Sequence, residues 1–349
     1  MNKTLSTRTD FILKSIIEQY IARALPVPSQ SIMDNYRIDV SSATIRNEMM
    51  RLKQDGYILQ PHTSSGSVPS DKGYRYYVET LTDVRLPINQ QRMINHLFHQ
   101  VETKLEEWAR LTATLLANLS QNMAIITTAR SSNCTFKHLE LVSIQDSTAL
   151  IVLVLQGAIV RQQLITFDQA ISQTELTTTS NKLNSALDGL SKPQILEQNI
   201  ELSELEKSIA DCVLNIMKSE DETGHEGPYL DGMQFIFNQP EFSSSHQAVA
   251  LLELTEHKNL MSVIMANDLA GEGVHVFIGK ENKAEAIQNY SLVVSRYGLP
   301  GEAIGCIAIL GPTRMHYVRS IASVDYLAEV LTGLVAWLHG RKITPESKN

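Results

Sequence analysis

Residues 41–78 constrain the fold of this chain more than any other stretch, because the apolar spacing changes there from helical to strand-like. Ile45, Met49 and Leu52 recur at the spacing i, i+4, i+7, which predicts a helix with one buried face. Gly56 follows the last of them and is a typical residue just after a helix end. The segment therefore predicts an amphipathic helix that ends before residue 56.

The opposite face of this helix carries side chains of the kind that read base edges. Arginine can bond guanine in a fork, asparagine can pair with adenine, and alanine, methionine or the threonine methyl can rest on a thymine methyl. A plain solvated face has a similar composition, so the flanking segments must distinguish the two. Either Ser41 or Ser42 supplies the N-cap oxygen of this helix. The helical projection and the N-terminal turn nominate Ser42, Ala43, Thr44, Arg46, Asn47, Met50 and Arg51 as base or backbone contacts.

A short hairpin and a further helix are predicted after this helix. Tyr57–Leu59 form an apolar strand, residues 61–66 a polar tip, and Ser67–Pro69 the returning strand, after which Ser70 caps a helix. A reading helix followed by a two-stranded wing is typical of the winged helix-turn-helix, whose wing contacts backbone or minor groove. The candidates for DNA contact on the wing side are His62, Thr63, Ser64, Ser65, Lys72 and Arg75.

Two helices are predicted before residue 41. Residues 7–25 carry a regular apolar stripe that Pro26 stops, and Ser29–Tyr36 read as a shorter helix. With the reading helix and the wing, they predict a winged-helix DNA-binding domain over residues 1–81. Residues 82–90 have no apolar periodicity and are predicted to be a linker.

Charge and composition support a DNA-binding segment on an acidic protein. The net charge is −8. Residues 1–75 contain ten Lys or Arg against seven Asp or Glu, which is +3 and leaves −11 for the remainder. Three scattered cysteines form no disulfide or metal spacing, and no nucleotide-binding or catalytic motif is present. We therefore expect no enzyme, cofactor or metal.

The N-terminus lacks the apolar core of a signal peptide, and no apolar run reaches the roughly 18 residues needed to span a membrane. These two observations predict a cytoplasmic protein without membrane contact.

The rest of the chain mixes helices and strands. Apolar residues between Ile94 and Leu119 alternate spacings of four and three, which is compatible with a dimer seam or with packing inside one subunit. Between Phe136 and Phe167 the pattern predicts a three-stranded meander, followed by helices near 172–190 and 201–218. Further elements are predicted as a helix after Ser243–Ser245, strands at Val274–Ile278, Tyr290–Ser295 and Ala303–Leu310, and a last helix from Tyr317 to Leu338.

Two separated motifs, one in three runs within residues 41–78 and one at residues 311–317, resemble those of one bacterial family. The runs S-S-A-T-I-R-N-E-M, P-H-T-S-S-G and V-P-S-D-K-G-Y-R-Y-Y-V, together with G-P-T-R-M-x-Y near the other end, are similar to the heat-inducible transcription repressor HrcA. The resemblance covers essentially the whole sequence. It departs from the family at Pro28, where glycine is common, and at Ser67, where a basic residue usually follows T-S-S-G.

The resemblance implies an α+β multidomain fold in three parts. After the winged helix-turn-helix, a GAF-like α+β domain would comprise residues 91–130 plus 221–341. An inserted dimerising α+β domain, with a three-stranded antiparallel sheet and helices, would occupy residues 131–220. The motif near the C-terminus, for which anion binding and a structural role both remain open, comprises Gly311, Pro312, Thr313, Arg314, Met315 and Tyr317.

The function implied by the resemblance is repression of heat-shock (chaperone) operons by a homodimer. Its partners would be double-stranded DNA carrying the CIRCE operator, a second copy of the chain, and the chaperonin GroEL, which keeps the repressor active until heat stress. The alternative is a one-component regulator whose GAF-like body senses a small-molecule effector.

Overall fold

A computed structural model describes residues 5–35, 41–62, 66–102, 104–129, 134–156, 159–198, 201–223, 227–242, 249, 251–253, 260–267, 269, 271, 273–300 and 302–341. The chain divides into two compact units. Unit 1 comprises Met1–Thr127, Pro228–Arg296 and Cys306–Val330, and unit 2 comprises Thr128–Gly227, Tyr297–Gly305 and Leu331–Asn349.

In chain order, the described helices are α1 (Thr7–Arg23), α2 (Ser29–Asn35), α3 (Ser42–Gln54), α4 (Asp71–Glu79), α5 (Ile88–Gln100), α6 (Leu105–Ser120), α7 (Gln173–Leu187), α8 (Lys192–Glu197), α9 (Glu204–Thr223), α10 (Met233–Phe237), α11 (Leu260–Met265) and α12 (Tyr317–Leu338). The strands are β1 (Ile58–Leu59), β2 (Val68–Pro69), β3 (Met123–Ile126), β4 (Phe136–Gln145), β5 (Thr148–Leu155), β6 (Ile159–Thr166), β7 (Tyr229–Asp231), β8 (Val274–Ile278), β9 (Tyr290–Leu299) and β10 (Ala303–Pro312). The α+β class is therefore confirmed.

The first part of unit 1, residues 5–81, is here called the head. Its helix α1 is capped by Ser6, whose hydroxyl accepts a hydrogen bond from the Thr9 amide at 3.2 Å. Ile12 and Ile16 of α1 are completely buried, as is Ile45 of α3. Burial of large aliphatic side chains contributes about 1.5–3 kcal/mol each, so this shared core holds α3 against α1.

Strands β1 and β2 form an antiparallel hairpin in which Ile58 lies opposite Pro69 and Leu59 opposite Val68. Helix α4 then packs closely on the start of this hairpin. A β-carbon at Gly73 of α4 would overlap the backbone carbonyl oxygen of Tyr57. Glycine is needed here because the helix and the backbone of residue 57 approach within the space of one methyl group.

Gly73→Ala is expected to destabilise the head by more than about 2 kcal/mol, since neither backbone segment can move without repacking the core. Gly333→Ala is the matched control, because Gly333 lies inside α12 with open space at the β-carbon position. That change should leave stability equal or raise it by about 0.5–1 kcal/mol. Urea unfolding of both variants measures the difference, and equal stability of the two would contradict this account of Gly73.

The remainder of unit 1, here called the body, is built on a five-stranded sheet with the strand order β7-β3-β10-β9-β8. The three predicted strands at 274, 290 and 303 are confirmed as β8, β9 and β10. Strands β3 and β7 were not predicted. Ile125 of β3 lies opposite Leu230 of β7 and opposite Ala308 of β10, so β3 is an inner strand of the sheet.

The periodic region from Ile94 to Leu119 is two helices and not one. Helix α5 ends at Gln100, Val101 has an extended backbone (φ −93°, ψ 147°), and α6 begins at Leu105. Ile94, Phe98 and Trp108 are buried within the single chain. The seam residues therefore serve packing inside one subunit. The predicted linker over residues 82–90 is likewise shorter, because α5 begins at Ile88.

Helix α12 contradicts the prediction that no apolar run is long enough to span a membrane. Among the described residues, it is long and apolar enough to cross a membrane by length and composition, and 44% of its most apolar stretch is buried. Tyr317, Val324 and Leu327 on this helix are almost or completely buried. A buried core helix passes the same test of length and composition, and the packing of these side chains is of that kind.

Unit 2 contains the antiparallel sheet β4-β5-β6, which confirms the predicted meander. Helices α7 and α9 pack on one face of the sheet and share a core with Leu139, Ile151 and Leu153. The side-chain amide of Asn184 fixes α7 to β4, because its oxygen accepts from the Leu139 amide at 2.7 Å and its nitrogen donates to the Leu139 carbonyl at 2.9 Å. The two predicted helices of this region are confirmed as α7 and α9, whereas α8 was not predicted.

The predicted helix after Ser243–Ser245 falls mostly outside the described residues.

Candidate nucleic-acid interface

Helix α3 has the orientation that its apolar spacing predicted. Ile45 and Leu52 are completely buried and Met49 is 9% exposed. The opposite side is open to solvent, and even the apolar side chain of Met50 is 59% exposed there. The other residues of that side that are exposed are Ala43, Arg46, Asn47, Arg51, Lys53 and Gln54.

Of the two serines predicted to cap α3, Ser41 does so. The Ser41 hydroxyl accepts a hydrogen bond from the Thr44 amide at 3.2 Å and lies 3.0 Å from the Thr44 hydroxyl. Ser42 is the first helical residue and is half-buried. At the other end, Gly56 has a φ of +78°, which lets the chain turn from α3 into β1.

Arg46, Asn47 and Gln54 are exposed side chains on α3 whose polar groups are uncommitted, and Arg46 and Asn47 lie in its first half. Within the described part of the chain, none of the three has a hydrogen-bond or ion-pair partner. Arg51 differs, because its guanidinium lies 4.0 Å from the Glu48 carboxylate, which in turn accepts a hydrogen bond from the Thr9 hydroxyl at 2.9 Å. Arg46 and Asn47 are thus the side chains best able to take up new partners.

A cleft of about 560 Å³ separates α3 from the base of the hairpin. Arg46, Met50 and Lys53 line one side of it, and Gln60 and Ser67 line the other. The Lys53 ammonium group donates to the Gln60 side chain across the cleft at 3.0 Å. Lys53 was not predicted as a contact residue. It lies on the same helical stripe as Arg46 and Met50, at the spacing i, i+4, i+7, so the helical projection that nominated Arg46 could have found it.

The base of the hairpin is fixed to the segment between α1 and α2. Val27 and Ser67 exchange backbone hydrogen bonds at 2.8 and 2.9 Å, and a β-carbon at Gly66 would overlap the backbone of Pro26 and Val27. His62 is exposed at the start of the tip. The predicted contact residues Thr63, Ser64 and Ser65 lie outside the described residues.

The two basic residues nominated on α4 already have partners inside the chain. The Lys72 ammonium group donates to the Asp55 carbonyl at 2.7 Å and lies 4.3 Å from the centre of the Tyr57 ring. The Arg75 guanidinium is bonded to the Glu281 carboxylate of the body. Arg75 was predicted to contact DNA, and its guanidinium is committed to Glu281 in this structure, so a phosphate contact would require that pair to open.

The motif at Gly311–Tyr317 connects β10 to α12 and makes contacts within the chain. Gly311 allows close approach of the Asn122 side chain, and Met315 is 2% exposed. The Tyr317 hydroxyl donates to the Thr313 carbonyl at 2.6 Å and lies 2.8 Å from the Ser291 hydroxyl. Pro312 ends β10. Arg314 donates to the Glu241 carboxylate at 2.5 and 3.0 Å.

Burial governs ionisation around this motif. It raises the pKa of Tyr317 far above the usual value, although the hydrogen bond with Ser291 opposes the shift. Burial also lowers the pKa of His316, and the positive charges of Arg319 and Arg314 lower it further. At neutral pH both side chains are therefore uncharged, and the positive charge at this end of α12 comes from arginine.

Comparison with known proteins identifies the family. A sequence profile described as the HrcA protein C-terminal domain matches residues 106–321. The heat-inducible transcription repressor HrcA of Dehalococcoides mccartyi strain BAV1 is 47% identical over 97% of this chain and 98% of its own length. The HrcA of Roseiflexus castenholzii is 37% identical over 97% of both chains. This chain belongs to the HrcA family.

The fold is also seen in a solved structure described as that of a hypothetical protein. It is 23% identical, with a TM-score of 0.59, over 96% of this chain and 100% of the other. HrcA proteins are heat-inducible transcription repressors, so the predictions of a stress-response repressor and of a non-enzyme are both confirmed.

Proposed function

We propose that this HrcA protein is a homodimer that represses heat-shock (chaperone) operons by binding the CIRCE inverted repeat through a winged helix-turn-helix. In this proposal residues 1–81 form the DNA-binding domain, and α3 enters the major groove with β1 and β2 as the wing beside it. The observation that carries the proposal is the exposed pair Arg46 and Asn47, whose polar groups have no partner in the described part of the chain.

The remaining contacts of the proposed interface surround this pair. Ala43, Thr44 and Met50 supply apolar surface for thymine methyl groups, and Arg51 and Lys53 supply charge at the two flanks. Ser42, His62 and the wing tip at 63–65 would contact the backbone. Lys72 keeps a place at the edge because it is exposed, even though it is bonded to Asp55.

Dimerisation is proposed through residues 131–220. One face of the sheet β4-β5-β6 is covered by helices, and the other bears an apolar cluster here called the outer cluster. Val142, Leu150 and Leu164 lie side by side in register on it, as do Val154 and Val160. Leu164 is 61% exposed and Val160 is 47% exposed. A contiguous apolar surface of this kind is typical of an interface, and a second copy of the same face would cover it symmetrically.

The GAF-like domain is proposed to comprise residues 91–130 plus 221–341 and to respond to heat. In this scheme the chaperonin GroEL maintains the active repressor, and unfolded proteins compete for GroEL under stress. A loss of about 1–2 kcal/mol in stability changes the active population several-fold, so no dedicated sensor residue is required. A repressor of this kind acts in the cytoplasm.

The direct test is a titration of the full-length protein with a CIRCE duplex and a scrambled duplex at several salt concentrations, with and without GroEL. Specific binding should exceed non-specific binding by about 10³-fold or more, and it should weaken as salt rises because phosphate contacts release counterions. Equal affinity for the two duplexes would contradict the proposal. GroEL should raise the fraction of active protein, so an unchanged fraction would remove the chaperonin from the scheme.

A small-effector sensor is the second candidate, and one cavity favours it. The cavity has a volume of about 490 Å³, within the usual range of ligand sites, and lies in unit 1 between the head and α12. Tyr77, Leu86, His316 and Arg319 are among its lining residues. If a protein-free extract of small metabolites changed the operator affinity of the purified protein without GroEL, the sensor would be preferred.

A further inference from the structure

We propose that Arg75 and Arg314 are positioning residues that clamp the head to the body and thereby set the direction in which α3 is presented to DNA. This inference rests on the proposed function, because it concerns how the same helix reaches its half-site. It depends on contacts within unit 1 only.

The first clamp joins α4 of the head to the edge of the body sheet. The Arg75 guanidinium donates to both carboxylate oxygens of Glu281, one of them at 2.8 Å, and also to the Val276 carbonyl at 2.5 Å. A fork of this kind is among the stronger hydrogen-bonding arrangements and fixes direction as well as distance. Val276 lies in the edge strand β8, so Arg75 also caps a backbone carbonyl at the edge of the sheet.

The start of α4 supports the same contact. The Asp71 carboxylate accepts a hydrogen bond from the Lys280 amide at 3.2 Å. Gly279 has a φ of +54°, and a β-carbon there would overlap the Asp71 carboxylate. The turn at residues 279–281 is therefore shaped to receive the N-terminal turn of α4.

The second clamp holds a different helix of the head. Arg314, whose side chain is only 13% exposed, is held by the Glu241 carboxylate and donates to the Ile21 carbonyl at 3.2 Å. Ile21 lies in the last turn of α1, where carbonyl groups have no partner within the helix. The Arg314 guanidinium thus caps the C-terminal end of α1 by bonding a free carbonyl group there.

Two aromatic rings fill the space between these polar contacts. The rings of Tyr74 on α4 and Tyr317 on α12 are 5.7 Å apart, and the two residues are 2% and 0% exposed. The head is therefore held at three places: by the buried tyrosine pair, by the Arg75 contact on α4 and by the Arg314 contact on α1. Contacts at separate points restrain rotation of the head as well as translation. Because α3 shares the core of α1, the direction of α3 follows.

The clamps leave the reading face uncovered. The contacts of Arg75 and Arg314 lie on α4, α1 and the body, whereas Arg46 and Asn47 remain exposed on α3. The clamps therefore cannot act by blocking DNA, and their effect must come through the orientation of the helix. A dimer that reads an inverted repeat needs a fixed distance between its two reading helices.

A charge exchange at the first clamp tests the inference. Arg75→Glu and Glu281→Arg each place like charges together, and the double variant restores an opposite-charge pair. Arg92→Glu is the matched control, because Arg92 is exposed on α5 and has no partner among the described residues. Arg314→Gln tests the second clamp with the same readouts.

The first readout is the affinity for inverted repeats whose half-sites are spaced as in the operator or moved apart by a few base pairs. Each single variant should lose about tenfold at the native spacing, gain at the altered spacings and keep its affinity for an isolated half-site, with recovery in the double variant. An unchanged spacing profile, a higher affinity at the native spacing, or an equal loss on the half-site would each overturn the inference. Failure of the unmodified protein to prefer the repeat would instead overturn the proposed function.

The second readout needs no DNA. Trypsin cuts after Arg85, and the next residue, Leu86, is 4% exposed between the head and α12. If the clamp holds, cutting at this bond in the folded full-length protein should be about tenfold faster in Arg75→Glu and Glu281→Arg and slow again in the double variant. Equal cutting rates in all variants would overturn the inference regardless of the DNA result.

Discussion

Replacement of Arg46 by alanine should abolish most of the preference of this protein for its operator. A bidentate contact to a base contributes about 1–3 kcal/mol, and a dimer loses it at both half-sites, so specific affinity should fall between about 30-fold and 10⁴-fold. The fold should be unaffected, because Arg46 is exposed and has no partner in the described part of the chain. Gel-shift titrations on the operator and on a scrambled duplex measure the effect.

Asn47→Ala should behave in the same way and should relax the preference at one base position per half-site. Arg92→Ala removes an exposed arginine from α5, outside the head, and should leave both affinities unchanged. If Arg46→Ala weakened the operator and the scrambled duplex equally, Arg46 would be a phosphate contact and the assignment of base reading to α3 would fail.

Leu164→Asp is expected to convert the proposed dimer to a monomer at micromolar concentration. Leu164 is 61% exposed in the single chain, so the aspartate is tolerated by the folded subunit. At a two-fold interface the change would bury two carboxylates without partners, which should raise the dissociation constant by on the order of 100-fold or more. Sedimentation velocity reports the dimer directly, and the operator affinity should fall with it.

Gln163→Asp is the control for this experiment. Gln163 is the neighbouring residue on β6, is exposed, and lies opposite Ile151 on the other face of the sheet. The Gln163→Asp variant should remain dimeric. A dimer that survives Leu164→Asp at low concentration would place the subunit interface away from the outer cluster.

The sequence was most informative where structure depends on neighbours along the chain. The faces of α3 followed from the spacing of Ile45, Met49 and Leu52, and their burial confirms the projection. The hairpin β1–β2 and the meander β4–β6 were predicted for the same reason, since turn residues and alternation are local signals. The break at Val101 was missed because no proline or glycine marks it.

Contacts between distant segments could not be predicted in this way. Arg75 was nominated for DNA because it lies near the wing, whereas its partner Glu281 is 206 residues away in the sequence. For Arg314, a carboxylate partner was one of two possibilities, and the spacing gave no reason to choose Glu241 or the Ile21 carbonyl. Strand β3 was overlooked because M-A-I-I is too short to distinguish from the end of a helix, and its place became clear only between β7 and β10.

The cap that Arg75 places on Val276 has a consequence for solubility. Strand β8 is the last strand of its sheet, and an edge of this kind can pair with the same edge of another molecule once it is uncovered. A head that swings away from the body would uncover part of that edge, because the Arg75 side chain would leave the Val276 carbonyl. Proteins with an open clamp would then self-associate on warming, and operator occupancy would be lost through depletion of soluble repressor as well as through misdirected helices.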